Sequence, residues 1–140
     1  MSRWSSIPIT LSNLTLANTL PVGQSFLWHR HPIPEAGTSE ASEEFSRAVD
    51  NPPRVVRLRQ TSTHLQYSAV YPNVSSEEQD KALSATSNWI RDYFQLDYDL
   101  DNLYKEWTAR DPNLFGKIDV SGKAVGVRLL RQAPWECLVA

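Results

Sequence analysis

The sequence has little cysteine and little net charge, and both shortages narrow the range of functions. Cys137 is the only cysteine among 140 residues, so no disulfide can form within the chain and a reducing compartment is expected. No group of cysteine and histidine has the spacing of a structural zinc site. The formal net charge of -2 does not fit an independent nucleic-acid binder that relies on concentrated Lys and Arg. Any contact with DNA must therefore be local.

Long hydrophobic runs and catalytic motifs are also missing. The first ten residues contain no apolar run of signal-peptide length, and no later segment approaches a membrane span, which predicts a soluble, intracellular protein. The sequence has no Walker loop, no dinucleotide fingerprint and no HExxH motif. His29 and His31 lie at strand spacing and could share one face, but their neighbours offer no further metal ligands. They are expected to be surface histidines.

Apolar residues, in contrast, are plentiful. Hydrophobic residues make up 41% of the chain and include five Trp, five Tyr and four Phe among the aromatics, enough for one globular domain with an aromatic core. Two groups of basic residues could give either a local DNA contact or a solvated charged face. The first group is Arg54, Arg57 and Arg59, and the second is Lys117, Lys123, Arg128 and Arg131.

The first half of the chain has the pattern of antiparallel strands. Residues 21–24 carry a turn signal, and a strand is expected after them through Phe26 and Trp28. Residues 31–44 are rich in Pro, Ser, Ala and Glu, which indicates an exposed loop. Between residues 45 and 71 apolar residues alternate twice with polar ones, and residues 61–63 make a plausible hairpin connection.

From residue 75 onward the period becomes that of helices. Ser75 and Glu78 have the spacing of a capping box, and Asp99 and Asp111 are expected to begin two further helices as N-caps. Each of the first two helices carries an apolar stripe, which is expected to pack in the core rather than bind a cofactor. The stripes are Ala82, Ala85, Trp89, Ile90, Tyr93 and Phe94 in the first helix, and Leu100, Leu103, Tyr104 and Trp107 in the second.

The last segment contains a helix start and an apolar end. A helix beginning at Pro134 would have about seven residues, too few to be stable without tertiary packing. Trp135, Leu138 and Val139 have no visible partner in the sequence, so we expect them to be unpaired and to lead into another domain. Cys137 is expected to be a small buried hydrophobe.

Three blocks resemble the N-terminal region of eukaryotic 8-oxoguanine DNA glycosylases. They are residues 4–7 followed by LPVGQSFLW, then YFQLDYDLDNLYKEW, then GVRLLRQAPWECL. The third block resembles the junction with that family's catalytic helix-hairpin-helix domain. The resemblance implies an α+β domain with a twisted antiparallel sheet backed by helices, similar to one repeat of the TATA-binding protein. It also implies that residues 1–132 form the N-terminal domain and that residues 133–140 begin a catalytic domain missing from this chain.

The resemblance carries expectations about chemistry. In this family an oxidised guanine is flipped into a pocket between domains, where a lysine of the later domain attacks the sugar and an aspartate assists. Neither position matches a residue of this chain, so we expect it to be inactive alone and to need no cofactor or metal. Oxidised guanine carries a hydrogen on N7, where guanine has only an acceptor. The resemblance assigns recognition of that hydrogen to the carbonyl of Gly23 and the pocket wall to Gln24; alternatively, Gly23 merely closes a turn.

The chain departs from the family pattern at Leu27 and Ala133, and again after Leu138, where Val139 and Ala140 leave the pattern. Leu27 replaces a usual arginine, and Ala133 replaces an acidic residue that would cap the last helix, at an expected cost of about 1 kcal/mol. The implied partners are double-stranded DNA containing 8-oxoguanine, bound weakly or not at all by this chain alone, and the missing catalytic domain. The implied location is the nucleus, with the mitochondrion as a second site.

Two other functions remain open. One is a non-catalytic module that binds DNA or a protein. The other is the N-terminal domain of an alkyladenine-type glycosylase, which the GQSFLW and RLLRQAPWECL blocks disfavour.

Overall fold

Antiparallel strands form a single sheet in the computed structural model, which describes residues 3–34, 40–72, 75–117 and 125–140. The sheet order is β1-β5-β4-β3-β2, and every neighbouring pair is antiparallel. The strands within these ranges are β1 (Ser5–Pro8), β2 (His29–Pro32), β3 (Glu43–Val49), β4 (Arg54–Gln60) and β5 (His64–Val70). The expected α+β class with an antiparallel sheet is confirmed.

Helices connect the strands and follow them in the chain. They are α1 (Leu16–Thr19), α2 (Ser76–Tyr93), α3 (Leu100–Arg110), α4 (Pro112–Phe115) and α5 (Pro134–Val139). No helix in the described part of the chain is long and apolar enough to span a bilayer.

The strands predicted between residues 45 and 71 are confirmed, and their register builds the core. Leu58 in the centre of the sheet lies opposite both Phe45 and Tyr67, and all three side chains are buried. Because strand side chains alternate between faces, this row presents an apolar face, and Ile90 and Phe94 at the end of α2 belong to the same buried cluster. The predicted connection at residues 61–63 joins β4 to β5.

The strand expected through Phe26 and Trp28 is wrong in its position. β2 begins only at His29, after both residues. In a strand the two aromatic side chains would share one face. Instead Phe26 is 71% exposed, whereas Trp28 is half-buried and donates from Nε1 to the Tyr93 hydroxyl at 3.0 Å. Trp28 is therefore bound to α2, and strand pairing begins at the next residue, His29.

The capping box that begins α2 is confirmed. The carboxylate of Glu78 accepts hydrogen bonds from the backbone N–H of Ser75 at 3.2 Å and from its hydroxyl at 2.7 Å. These hydrogen bonds lower the pKa of Glu78. The stripe prediction fails at Ala85, which is exposed, and the buried position next to it is Thr86. Thr86 is buried because its hydroxyl accepts a hydrogen bond from the Arg54 guanidinium at 3.0 Å.

The N-caps of α3 and α4 are confirmed, but the stripe of α3 is only partly in the core. Asp99 accepts from the backbone N–H of Asp101 at 3.0 Å, and Asp111 accepts from that of Leu114 at 3.1 Å. Leu100 is the buried member of the stripe, and the other three are half-buried. α3 packs against α4, where Trp107 meets Phe115 with ring centroids 5.7 Å apart.

Candidate functional site

Gly23 lies in an open turn that its own conformation requires. Its φ of +89° falls in a region that residues with a side chain rarely adopt, and no heavy atom lies within 4 Å of the place where a Cβ would be. Within residues 3–34, 40–72, 75–117 and 125–140, no donor forms a hydrogen bond with the Gly23 carbonyl. The turn therefore presents a backbone acceptor with space beside it.

The neighbouring Gln24 is held by the segment that leads into α5. Its side-chain Nε2 donates to the carbonyl of Arg128 at 2.7 Å, and its Oε1 accepts from the backbone N–H of Leu130 at 3.0 Å. The backbone carbonyl of Gln24 accepts a third hydrogen bond, from Nε2 of Gln132. The side chain expected to form a pocket wall is thus engaged in binding the protein's own backbone, a contact between positions more than a hundred residues apart.

A buried cation, Arg47, lies beside Trp28, which follows Gly23 by five residues in the chain. Arg47 is 7% exposed and lies on the core face of β3, with its guanidinium 5.7 Å from the ring centroid of Trp28 and 5.5 Å from that of Tyr93. It donates to the Tyr93 hydroxyl at 3.2 Å and forms an ion pair with Glu136 of α5 at 2.8 Å. Because a buried charge needs a partner, this pair fixes α5 against the aromatic cluster.

Sequence reasoning missed Arg47, although a signal was present. Arg47 follows Phe45 by two residues and precedes Val49 by two, so strand alternation places its charge on the apolar face. A charge at such a position indicates a buried ion pair or a functional group. The sequence carries no comparable signal for Gln132 or Glu136.

Arg128 is neither a DNA contact nor part of a solvated face, the two alternatives open for the second basic group. It is buried, and its guanidinium donates to the carbonyls of Gln95 at 2.7 Å and Tyr98 at 2.8 Å and also to Asn13. These carbonyls follow the end of α2, where backbone oxygens lack helical partners. Burial lowers the pKa of Arg128, and the carboxylates of Asp99 and Asp101 oppose that shift.

The remaining members of the second group differ in their surroundings. Lys117 is exposed, and Lys123 lies outside the described residues. Arg131 is exposed and forms an ion pair with Asp92 at 3.4 Å.

The first basic group is divided between the two faces of β4. Arg54 is buried beneath Trp89, so the expectation of a surface role is wrong for it.

Arg57 and Arg59 lie on the opposite face, where both pair with Glu44 at 2.6 and 2.8 Å. Burial by itself would raise the pKa of Glu44, but the hydrogen bonds and charges of the two arginines outweigh it and lower that pKa. Trp4 covers this cluster, with its ring centroid 4.3 Å from the Arg59 guanidinium carbon.

The two histidines of β2 share one face, as predicted. His29 and His31 are exposed, and their ring centroids are 6.5 Å apart. Among the described residues, no three His, Cys, Asp or Glu side chains come together as a metal site. His31 instead contacts the hydroxyl of Ser46 at 3.1 Å.

The apolar end of the chain is exposed. Trp135 is 70% and Leu138 74% exposed, so the expectation that they are unpaired is confirmed. The expectation for Cys137 is wrong, because its side chain is exposed too. The reason is that α5 contributes Glu136 to the domain through Arg47, which turns Cys137 and its apolar neighbours outward.

Replacing Ala133 by aspartate is expected to stabilise α5 by about 1 kcal/mol. Ala133 is the N-cap, with an extended backbone and no side-chain hydrogen bond, so an added carboxylate could accept from the first free N–H groups and favour the helix dipole. Slower amide hydrogen exchange at residues 135–137 and a higher urea midpoint would show the gain. Ala133→Asn is the control, since it can cap without adding a charge near Glu136. No slowing of exchange in either variant would contradict the prediction.

Comparison with known families places the chain among the N-terminal domains of DNA glycosylases. The family model for the 8-oxoguanine DNA glycosylase N-terminal domain matches residues 6–138, nearly the whole chain. The chain belongs to this family.

Two curated relatives extend the comparison beyond the domain. The chain is 28% identical over 138 residues to the N-glycosylase/DNA lyase OGG1 of Arabidopsis thaliana, covering 98% of the chain and 32% of that protein. It is 29% identical over 140 residues to the N-glycosylase/DNA lyase of Saccharomyces cerevisiae, covering 99% of the chain and 33% of that protein. The chain thus spans about one third of the length of these relatives.

Proposed function

We propose that this domain contributes lesion recognition to an 8-oxoguanine DNA N-glycosylase and AP lyase of base-excision repair. The observation that carries the proposal is the Gly23 carbonyl, an acceptor in an open turn with no protein donor in the described part of the chain. Family membership and the two DNA lyase relatives support the repair context.

The chemistry of the lesion fits such an acceptor. Normal guanine presents a lone pair at N7, which would face the lone pairs of the carbonyl and repel them. Oxidation at C8 places a hydrogen on N7, and the same carbonyl then accepts a hydrogen bond. A site that discriminates by one hydrogen bond loses little affinity for the right base and leaves a polar group unpaired against the wrong one. The glycine is suited to this role because it allows a base to approach the backbone closely.

DNA affinity of the chain by itself is expected to be low. Its net charge is negative, and many of its arginines are engaged in ion pairs with Glu or Asp, so few cations remain to release counterions from phosphates. The binding strength of a whole enzyme would therefore come from elsewhere, and this domain would supply discrimination.

Binding to a pre-exposed base tests the proposal directly. We expect the purified chain to prefer a duplex with an unpaired 8-oxoguanine over the same duplex with guanine, because an unpaired base needs little energy to leave the stack. Gly23→Pro is expected to abolish the preference, since proline fixes φ near −65°. Fluorescence anisotropy at low salt gives the two Kd values, and circular dichroism checks that the variant is folded. Equal Kd values for both duplexes with the wild-type chain would contradict the proposal.

The exposed apolar residues of α5 favour a second function, a binding module for a protein partner. Trp135, Leu138 and Val139 present an apolar surface in the part of the chain that the structure describes. Such surfaces commonly mark protein interfaces. A chain that binds neither duplex would favour this second function over lesion recognition.

A further inference from the structure

Gln24 and Gln132 together form a connection that we name the glutamine clamp. Gln24 uses both ends of its side-chain amide on the backbone of residues 128 and 130, and Gln132 donates to the Gln24 backbone carbonyl. We infer that the clamp positions the Gly23 carbonyl, with Gln132 as its positioning residue. The inference rests on the proposed function, because it assigns the clamp to the same acceptor.

The peptide geometry explains why a clamp is needed at this place. The Gly23 carbonyl and the Gln24 N–H belong to one planar peptide group, so fixing Gln24 restricts where that carbonyl points. Glycine by itself has more conformational freedom than any other residue, and the open space beside Gly23 offers no packing to restrain it. Hydrogen bonds weaken steeply when they are misaligned. A carbonyl that discriminates by one hydrogen bond must therefore be held from the neighbouring residue.

The side chain of Gln132 also contains a buried polar atom without a hydrogen-bond partner in the described part of the chain, which a purely structural role would not require. Its Oε1 is buried and lacks a hydrogen-bond partner among the described residues. The opposite amide orientation would aim this oxygen at the Gln24 carbonyl, and the two oxygens would repel each other. The hydrogen bond to Gln24 therefore fixes the amide in the orientation that leaves Oε1 without a partner. Buried unsatisfied polar atoms are uncommon and costly. Methionine would fit this volume without either polar atom, and it would remove only the hydrogen bond that Gln132 contributes to the clamp.

Gln132→Met therefore separates positioning from stability, and Gln95→Met is its matched control. Gln95 also donates from its amide to the backbone of the same segment, at 2.9 Å to the Leu129 carbonyl, but it makes no contact with Gln24. We expect both variants to unfold at urea midpoints close to that of the wild type. The preference for unpaired 8-oxoguanine over guanine should fall about three- to tenfold in Gln132→Met and stay unchanged in Gln95→Met, as the loss of one orienting hydrogen bond predicts.

Backbone order measured by ¹⁵N relaxation distinguishes a failure of the clamp from a failure of the proposed function. We expect Gly23 and Gln24 to lose order in Gln132→Met and to keep it in Gln95→Met. If the wild-type chain shows no lesion preference, lesion recognition by this chain fails, while the loss of order alone would still support the clamp. Unchanged order at residues 23–25 in Gln132→Met would overturn the inference, whatever the binding data show.

Discussion

Replacing Arg128 by methionine is expected to lower the free energy of unfolding by about 3–5 kcal/mol, a large part of the roughly 5–15 kcal/mol that stabilises a domain. The guanidinium donates to backbone oxygens of Asn13, Gln95 and Tyr98 in the interior of the domain. Methionine fills the space but leaves the backbone oxygens of Asn13 and Tyr98 without donors, whereas the Gln95 carbonyl keeps the Tyr98 N–H at 3.2 Å. Each buried orphan costs about 1–3 kcal/mol. Urea unfolding followed by tryptophan fluorescence gives the value.

Two further variants identify the cause of the loss. Arg128→Lys keeps the charge but offers one compact ammonium instead of a fork of five N–H donors, so we expect an intermediate loss of about 1–3 kcal/mol. Arg131→Met removes the neighbouring exposed arginine and its 3.4 Å ion pair with Asp92, and a loss below about 1 kcal/mol is expected. If Arg128→Met and Arg131→Met unfold at the same urea concentration, the buried guanidinium does not stabilise the domain through its backbone contacts.

The sequence predicts the parts of this fold that depend on local periodicity. The alternation around Leu58 and Tyr67 specifies two half-buried strands, and the serine, aspartate and proline positions mark where helices begin. These signals act over a few residues, so they can be recognised without knowing what the elements pack against. Gly23 was found by family resemblance, and its positive φ supports a special backbone position there.

The parts that escaped prediction depend on contacts between distant positions. Arg128 was expected at the surface because an isolated arginine is usually solvated, but the carbonyls that follow α2 create a polar interior site for it. The pairing of Gln24 with Gln132 joins residues 108 positions apart and follows no periodicity. Cys137 was expected to be buried because of its type, whereas its orientation is set by the ion pair of its neighbour Glu136. In each case a polar partner elsewhere in the chain decides burial.

Among the described residues, Gly23 and Gly126 are the glycines with positive φ, and comparing alanine at the two positions tests how residues 126–132 are held against the segment that leads into α1. At Gly126, φ is +69° and an added Cβ would lie 2.2 Å from the Leu11 carbonyl oxygen and 2.5 Å from the Thr15 nitrogen, both backbone atoms. Neither can move aside, since the Thr15 N–H also donates to the Gly126 carbonyl at 2.8 Å. We therefore expect Gly126→Ala to lower the free energy of unfolding by roughly 2–5 kcal/mol. About 1–2 kcal/mol comes from backbone strain and about 1–3 kcal/mol from overpacking.

Gly23→Ala is the matched variant, because it imposes strain without a clash. Its φ of +89° is also unfavourable for alanine, but nothing lies within 4 Å of the added Cβ, so a loss of about 1–3 kcal/mol from strain alone is expected. Urea unfolding of both variants, with ¹⁵N spectra of residues 126–132, separates the two effects. Gly126→Ala should shift the resonances of Arg128, Leu130 and Gln132, since all three follow the displaced glycine, whereas Gly23→Ala should leave Arg128 in place.

Equal losses of stability in the two variants would mean that the close approach at Gly126 contributes nothing beyond its backbone conformation. The segment that orients the Gly23 turn would then be held by its backbone and side-chain hydrogen bonds rather than by close packing at Gly126.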